Sequence, residues 1–185
     1  HLMPTEEVVN TFLDISKKSK IKNVLEFGFN TGWSSYIMLE LFKKANITSI
    51  EIYKFSEALK GVSIIKNTFQ SRFEIIWEDS QILYKKILEN IIRLPFNNYD
   101  TAFIDGGHYP EIVDNDIKLS KLVGIKNFIF DDGECPNILP AIYKHNDLKL
   151  INKYPYFPLR KINNRYVLKK NKGWKVGLHH YQLLT

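Results

Sequence analysis

The stretch Val24-Leu25-Glu26-Phe27-Gly28-Phe29-Asn30-Thr31-Gly32-Trp33-Ser34-Ser35 constrains this chain more than any other part of it. A short apolar run ends in an acid, passes a Gly-x-Asn-x-Gly turn, and opens into a helical pattern from Ser34 to Lys44. That order reads as strand, tight loop and helix N-terminus. Gly28 and Gly32 can take positive φ and leave no Cβ in the way of a ligand pressed against bare backbone. The helix that follows points unpaired N–H groups at an electron-rich group. The spacing departs from Gly-x-Gly-x-x-Gly, so the dinucleotide fingerprint is only half met.

The remaining chain repeats the strand and helix alternation. Residues 4–19 place Val8, Phe12 and Ile15 at helical spacing, with Thr5 as N-cap. Strands are expected at 22–27, 47–50, 72–77, 99–104 and 125–130. Helices are expected at 33–45, 55–69, 81–92, 110–122 and 135–145. Two further strands are read at 148–154 and 165–169, with Pro155 and Pro158 punctuating the link between them. The last dozen residues, with His179 and His180 adjacent, give no element and are read as tail. This cadence predicts an α/β fold: a Rossmann-like, doubly wound, mostly parallel seven-stranded sheet with helices on both faces. At 185 residues the expectation is one domain, with an N-terminal helix at 1–20, a core at 21–170 and a basic tail at 171–185.

Charge is segregated. The chain carries +6 overall, yet residues 144–185 hold ten Lys or Arg against Asp147 alone, giving that end +9 and residues 1–143 a net −3. Such an end can steer an anionic partner, a phosphorylated small molecule or a nucleic acid. No apolar run is long enough to span a bilayer, and no signal peptide is read, so a cytoplasmic location is expected. The single Cys135 fits a reducing compartment and reads as a passive loop residue. His1-Leu2 ahead of Met3 reads as an appended remnant.

Open α/β sheets bind ligands beyond the carboxyl ends of their strands. Glu26, Glu51, Asp79, Asp105, Asp131 and Asp132 all fall at such ends. Six acids on one rim repel one another, so something cationic is expected there. Oxygen-only ligands at Asp105, Asp131 and Asp132 suit a hard divalent cation. Glu51, nineteen residues after Gly32, is placed to accept from both hydroxyls of an adenosine ribose.

The Gly28-x-Asn30-x-Gly32 turn resembles the first motif of the class I S-adenosylmethionine-dependent methyltransferases, in the variant with Asn at the middle glycine. Phe103-Ile104-Asp105-Gly106-Gly107-His108-Tyr109, with Phe130-Asp131-Asp132 after the next helix, resembles the metal-dependent O-methyltransferases, both the catechol type and the branch related to cephalosporin-tailoring and macrolide-sugar enzymes. The resemblance covers residues 22–135. It implies S-adenosylmethionine at Glu26, Gly28, Asn30, Gly32, Glu51, Asp79, Ser80 and Asp105, with Glu26 and Gly28 at its methionine end and Asp79 on the adenine amine. It implies Mg²⁺ or another divalent cation on Asp105, Asp131 and Asp132. His108 stands where the catechol type has Lys, and a general base there is implied. Trp33, Tyr36 and Tyr109 would line the cavity.

The expected activity is metal-assisted O-methylation of a small hydroxylated, and through the basic end anionic, acceptor, with no membrane partner and with homo-oligomerisation left open. Two alternatives stand beside it. One is an RNA methyltransferase or nucleic-acid-binding protein that uses the basic end, and the other is a nicotinamide-dependent oxidoreductase.

Overall fold

The computed structural model describes residues 6–133, 135–155, 159–162, 165–168 and 177–184. Thr5, Glu134 and Pro158 lie outside these residues, as do residues 171–176 of the expected tail.

Helix α1 (Glu6–Lys18) starts with Glu6 and Glu7 and ends with Lys17 and Lys18, so its charges complement the helix dipole. It buries Val8, Thr11, Phe12 and Ile15. Phe12 meets the edges of Phe42 and Phe103 at 6.1 and 5.6 Å between ring centres. There follow β1 (Asn23–Phe27), α2 (Trp33–Leu41), β2 (Asn46–Glu51), α3 (Ser56–Phe69), a 3₁₀ turn at Gln70–Arg72 and β3 (Phe73–Trp77). The second half runs α4 (Ser80–Leu88), β4 (Thr101–Ile104), α5 (Pro110–Leu122), β5 (Asn127–Phe130), α6 (Leu139–Tyr143), β6 (Leu148–Pro155), β7 (Leu159–Ile162), β8 (Arg165–Leu168) and β9 (Gly177–Leu183).

Seven strands form one sheet in the order β3-β2-β1-β4-β5-β9-β6, and β7 pairs with β8 in a separate hairpin. Strands β1 to β5 pair in parallel. Strand β9 runs antiparallel to both β5 and β6, which leaves β6 pointing the same way as the parallel strands. Parallel strands covered on both faces must be apolar throughout. Accordingly every residue of β4, and all but the first of β1 and β5, is buried. One core, around Phe12, Phe29, Met38 and Phe103, lies between the sheet and α1 to α3; the other, around Phe27, Leu83, Ile117 and Phe128, lies on the opposite face.

Two expectations are corrected. The seventh strand of the main sheet is Gly177–Leu183, whereas residues 165–168 belong to the hairpin. His179 and His180 are core residues, 3% and 4% exposed, because β9 inserts between β5 and β6 and is covered on both faces. Among the described residues no helix is long and apolar enough to cross a membrane. Strand order reverses between β1 and β4, and that switch point opens a crevice at their carboxyl ends.

Candidate functional site

At the switch point the backbone takes the left-handed conformation three times, at Gly28 (φ 89°), Asn30 (φ 50°) and Gly32 (φ 84°). Asn is among the few residues with a Cβ that tolerate this region, which accounts for its place at the middle position. A Cβ on Gly28 would collide with the Asp105 carbonyl oxygen, so the ends of β1 and β4 close together only over a glycine. Gly32 precedes α2 and supplies no side-chain cap, leaving the first turn of that helix open to a ligand.

Glu51 accepts four backbone N–H groups. Oε2 takes those of Phe29 (3.1 Å) and Asn30 (2.9 Å), and Oε1 those of Ile52 (2.8 Å) and Tyr53 (3.1 Å). A carboxylate offers about four lone-pair sites, so Glu51 is saturated and ties the glycine loop to the end of β2.

Glu26 stands elsewhere than the sequence suggests. It is 0% exposed and accepts hydrogen bonds from the hydroxyls of Ser34, Ser35 and Ser49. Ser49 is its register partner on β2, and the other two serines are in the first turn of α2. Burial pushes its pKa up to about 7 against the opposing pull of the three hydroxyls. Glu26 therefore fastens α2 beneath the glycine loop and is absent from the rim, because its side chain is enclosed by hydroxyl donors.

At the end of β3, Asp79 caps α4 by accepting from the Gln81 N–H at 2.7 Å. Ser80 points inward and donates to Asp116 Oδ1 at 2.6 Å. Asp116, on α5, is a buried acid that the sequence reading did not single out; desolvation pushes its pKa up to about 7. The available signal was its place on the apolar stripe of α5, three residues after Val113 and next to Ile117.

Beyond β4 and β5 the acids converge. Ligand atoms of Asp105, His108 and Asp131 all lie within 4.8 Å of one another. Burial raises the pKa of Asp105 well above the ordinary carboxylate range, and the Asp131 carboxyl, which faces it and shares a hydrogen bond with it, raises it further. Asp132, at φ 52°, places Oδ2 3.7 Å from His108 Nε2. Burial, then the charge of Asp131, lifts its pKa to about 6. His108 is shifted below its usual value by burial, so it is neutral at neutral pH. Buried His108 Nε2 and Asp132 Oδ1 have no hydrogen-bond partner. Unpaired buried donors and acceptors beside a like-charged pair form a set that fits a cation.

The expected cation ligands Asp105 and Asp131 are thus brought together, with His108 in the same cluster and Asp132 beside His108. Of the expected aromatic lining, Trp33 and Tyr109 are 53% and 63% exposed, while Tyr36 packs edge-on against Phe69 at 5.1 Å. Cys135 is buried, its N–H bonded to the Asp132 carbonyl at 2.7 Å in the turn after β5.

Residues 25–123 match a family described as a methyltransferase domain. No curated protein matches the sequence. Among solved structures, the chain is similar to the O-methyltransferase TomG from Streptomyces achromogenes, solved with S-adenosylmethionine. It shares 13% identity at a TM-score of 0.67, covering 100% of this chain and 82% of that one. A SAM-dependent O-methyltransferase from Thermotoga maritima aligns with 9% identity and a TM-score of 0.64, over 100% of this chain and 68% of that one. The tRNA (m1A58) methyltransferase TrmI from Aquifex aeolicus aligns with 13% identity and a TM-score of 0.61, over 100% and 71%. At such identities the likeness is one of fold.

Proposed function

Given that this chain belongs to the methyltransferase-domain family and is an S-adenosylmethionine-dependent methyltransferase, we propose that it methylates an oxygen of a small hydroxylated acceptor with a divalent cation at the β4 and β5 ends. The nicotinamide alternative is set aside by the family match, which spans the glycine loop, β2 and β4.

The observation that carries this reading is the convergence of Asp105, His108 and Asp131 directly beside the glycine loop, which touches Asp105 through Gly28. Gly28, Asn30 and Gly32 give the donor bare backbone and the open turn of α2. Glu51 meets its ribose and Asp79 its adenine, while Ser80 is held inward by Asp116. S-Adenosylmethionine supplies an electrophilic methyl group on a sulfonium. Asp105, Asp131 and Asp132 would hold Mg²⁺ or a similar cation, which lowers the pKa of a coordinated hydroxyl.

The protein's share of the reaction is alignment and proton removal. The acceptor oxygen donates a lone pair to the methyl carbon, the carbon–sulfur pair leaves with sulfur, and the hydroxyl proton passes to His108. His108 suits this because its depressed pKa keeps it neutral and able to accept. Asp132, 3.7 Å from Nε2, steadies the imidazolium that forms.

Calorimetric titration tests the assignment without knowing the acceptor. S-Adenosylhomocysteine should bind the wild type and Asp105→Asn comparably, while Mn²⁺ binding should be lost in Asp105→Asn and kept in His108→Ala. Loss of Mn²⁺ in His108→Ala would make His108 a ligand instead of the base. Absence of Mn²⁺ binding to the wild type would remove the cation.

A further inference from the structure

The proposed chemistry leaves one buried acid unused. Asp116, on α5, is 1% exposed, and burial pushes its pKa up to about 7 against the pull of the Ser80 and Asn115 side chains. Its Oδ1 accepts from the Ser80 hydroxyl at 2.6 Å, and Asn115 Nδ2 donates to that same hydroxyl oxygen at 3.4 Å. Ser80 begins α4 and directly follows Asp79. The other oxygen of Asp116, Oδ2, lies against the backbone after β4: a Cβ on Gly106 would stand 3.8 Å from it and 3.6 Å from the Phe27 carbonyl oxygen. Gly106 follows Asp105, and its backbone hydrogen-bonds the His108 ring. Strands β3 and β4 have β2 and β1 between them, so they run three strand spacings apart, about 14 Å. The residues just past them nevertheless converge on one carboxylate.

Burying a carboxyl is costly, and an apolar residue on this stripe of α5 would pack at less cost. What the acid provides is a strut between two ends of the crevice. On one side stands Asp79, at the proposed adenine end. On the other stand Asp105 and His108, at the proposed cation and base, with Gly28 closed against the Asp105 carbonyl. Resting on the proposed donor site, we infer that Asp116 is a positioning residue: through Ser80 and Gly106 it sets the distance between the adenine end and the methionine end of S-adenosylmethionine. Ser80 then belongs to the strut and not to the adenine contact. A ligand that grips both ends loses affinity when their distance drifts, whereas a ligand held at one end does not.

The test compares ligands that reach one end with a ligand that spans both, by calorimetry on the full chain. S-Adenosylhomocysteine should bind Asp116→Ala about tenfold more weakly than the wild type, while methylthioadenosine, which lacks the amino-acid end, and Mn²⁺ should each stay within about twofold. Ser80→Ala should show the same pattern, and the double variant S80A/D116A should lose no more than the larger single loss, because both changes cut one strut. Asp116→Asn, which keeps an acceptor for the Ser80 hydroxyl, should bind S-adenosylhomocysteine within about threefold of the wild type. Weakening of methylthioadenosine as large as that of S-adenosylhomocysteine overturns the inference, since Asp116 then only supports α4. So does wild-type affinity of Asp116→Ala for S-adenosylhomocysteine, or losses that add in the double variant. Should Asp116→Ala fail to fold, Ser80→Ala carries the same comparison alone. A wild type that binds neither nucleoside refutes the donor site and the strut with it. One that binds both yet no Mn²⁺ refutes the cation alone, and the two nucleosides then decide the strut.

Discussion

Two carboxyls on neighbouring strands, Glu26 fully buried on β1 and Asp105 partly buried just past β4, meet opposite surroundings. Both are pushed toward the neutral form by burial. Glu26 is enclosed by three serine hydroxyls, all aimed at it. Asp105 faces a second carboxyl, Asp131, which makes its ionisation harder still. An acid surrounded by donors is a fastening; an acid opposed by another acid stores unfavourable charge that only a cation or a proton relieves. The contrast separates what builds the rim from what the rim is for.

The strongest way to sharpen it is to remove Asp105. Asp105→Ala should cost about 10³-fold in methyl transfer once an acceptor is found, while S-adenosylhomocysteine affinity changes little. Comparable loss of donor affinity would make Asp105 a fastening too. Glu26→Ala should do the reverse: the three hydroxyls lose their acceptor, and chemical denaturation should show a loss of about 2–4 kcal/mol.

A pH series provides the third test. Glu26 binds its proton more tightly in the folded chain than in the unfolded one, so its contribution is most favourable below its unfolded pKa and falls as pH rises through about 7. The loss should be about 3 kcal/mol across that window and should flatten in Glu26→Gln. Asp131→Asn should likewise raise the melting temperature at alkaline pH by removing the charge that opposes Asp105, even as activity drops; a lower melting temperature would contradict the repulsion. The smallest effect belongs to Glu51→Ala, which should weaken S-adenosylhomocysteine binding about tenfold in calorimetry.

Much of the scaffold was readable because parallel strands are buried on both faces and so appear as unbroken apolar runs, as in Val24-Leu25 and Phe128-Ile129-Phe130. Glycine and Asn spacing marked the loop after β1 for a backbone reason that the positive φ values at Gly28, Asn30 and Gly32 express. Strand β9 was hidden because Gly-Leu-His-His-Tyr-Gln-Leu has neither alternation nor an apolar run, and its neighbours β5 and β6 are its partners only in space. Glu26 and Asp116 were opaque for another reason. A carboxyl at a strand end or on a helix stripe looks the same in sequence whether it meets solvent or serine hydroxyls, and the partners Ser34, Ser35, Ser49 and Ser80 come from other elements.

The position of β9 has a bearing on synthesis. A strand translated after all the other described elements is slotted between two made earlier, so a nascent chain halted before residue 177 leaves β5 and β6 each with an open edge toward the gap. The turn at Gly133 then lacks its bond to Gly177. The sheet can be sealed between β5 and β6 only once β9 has been made and has moved into the gap.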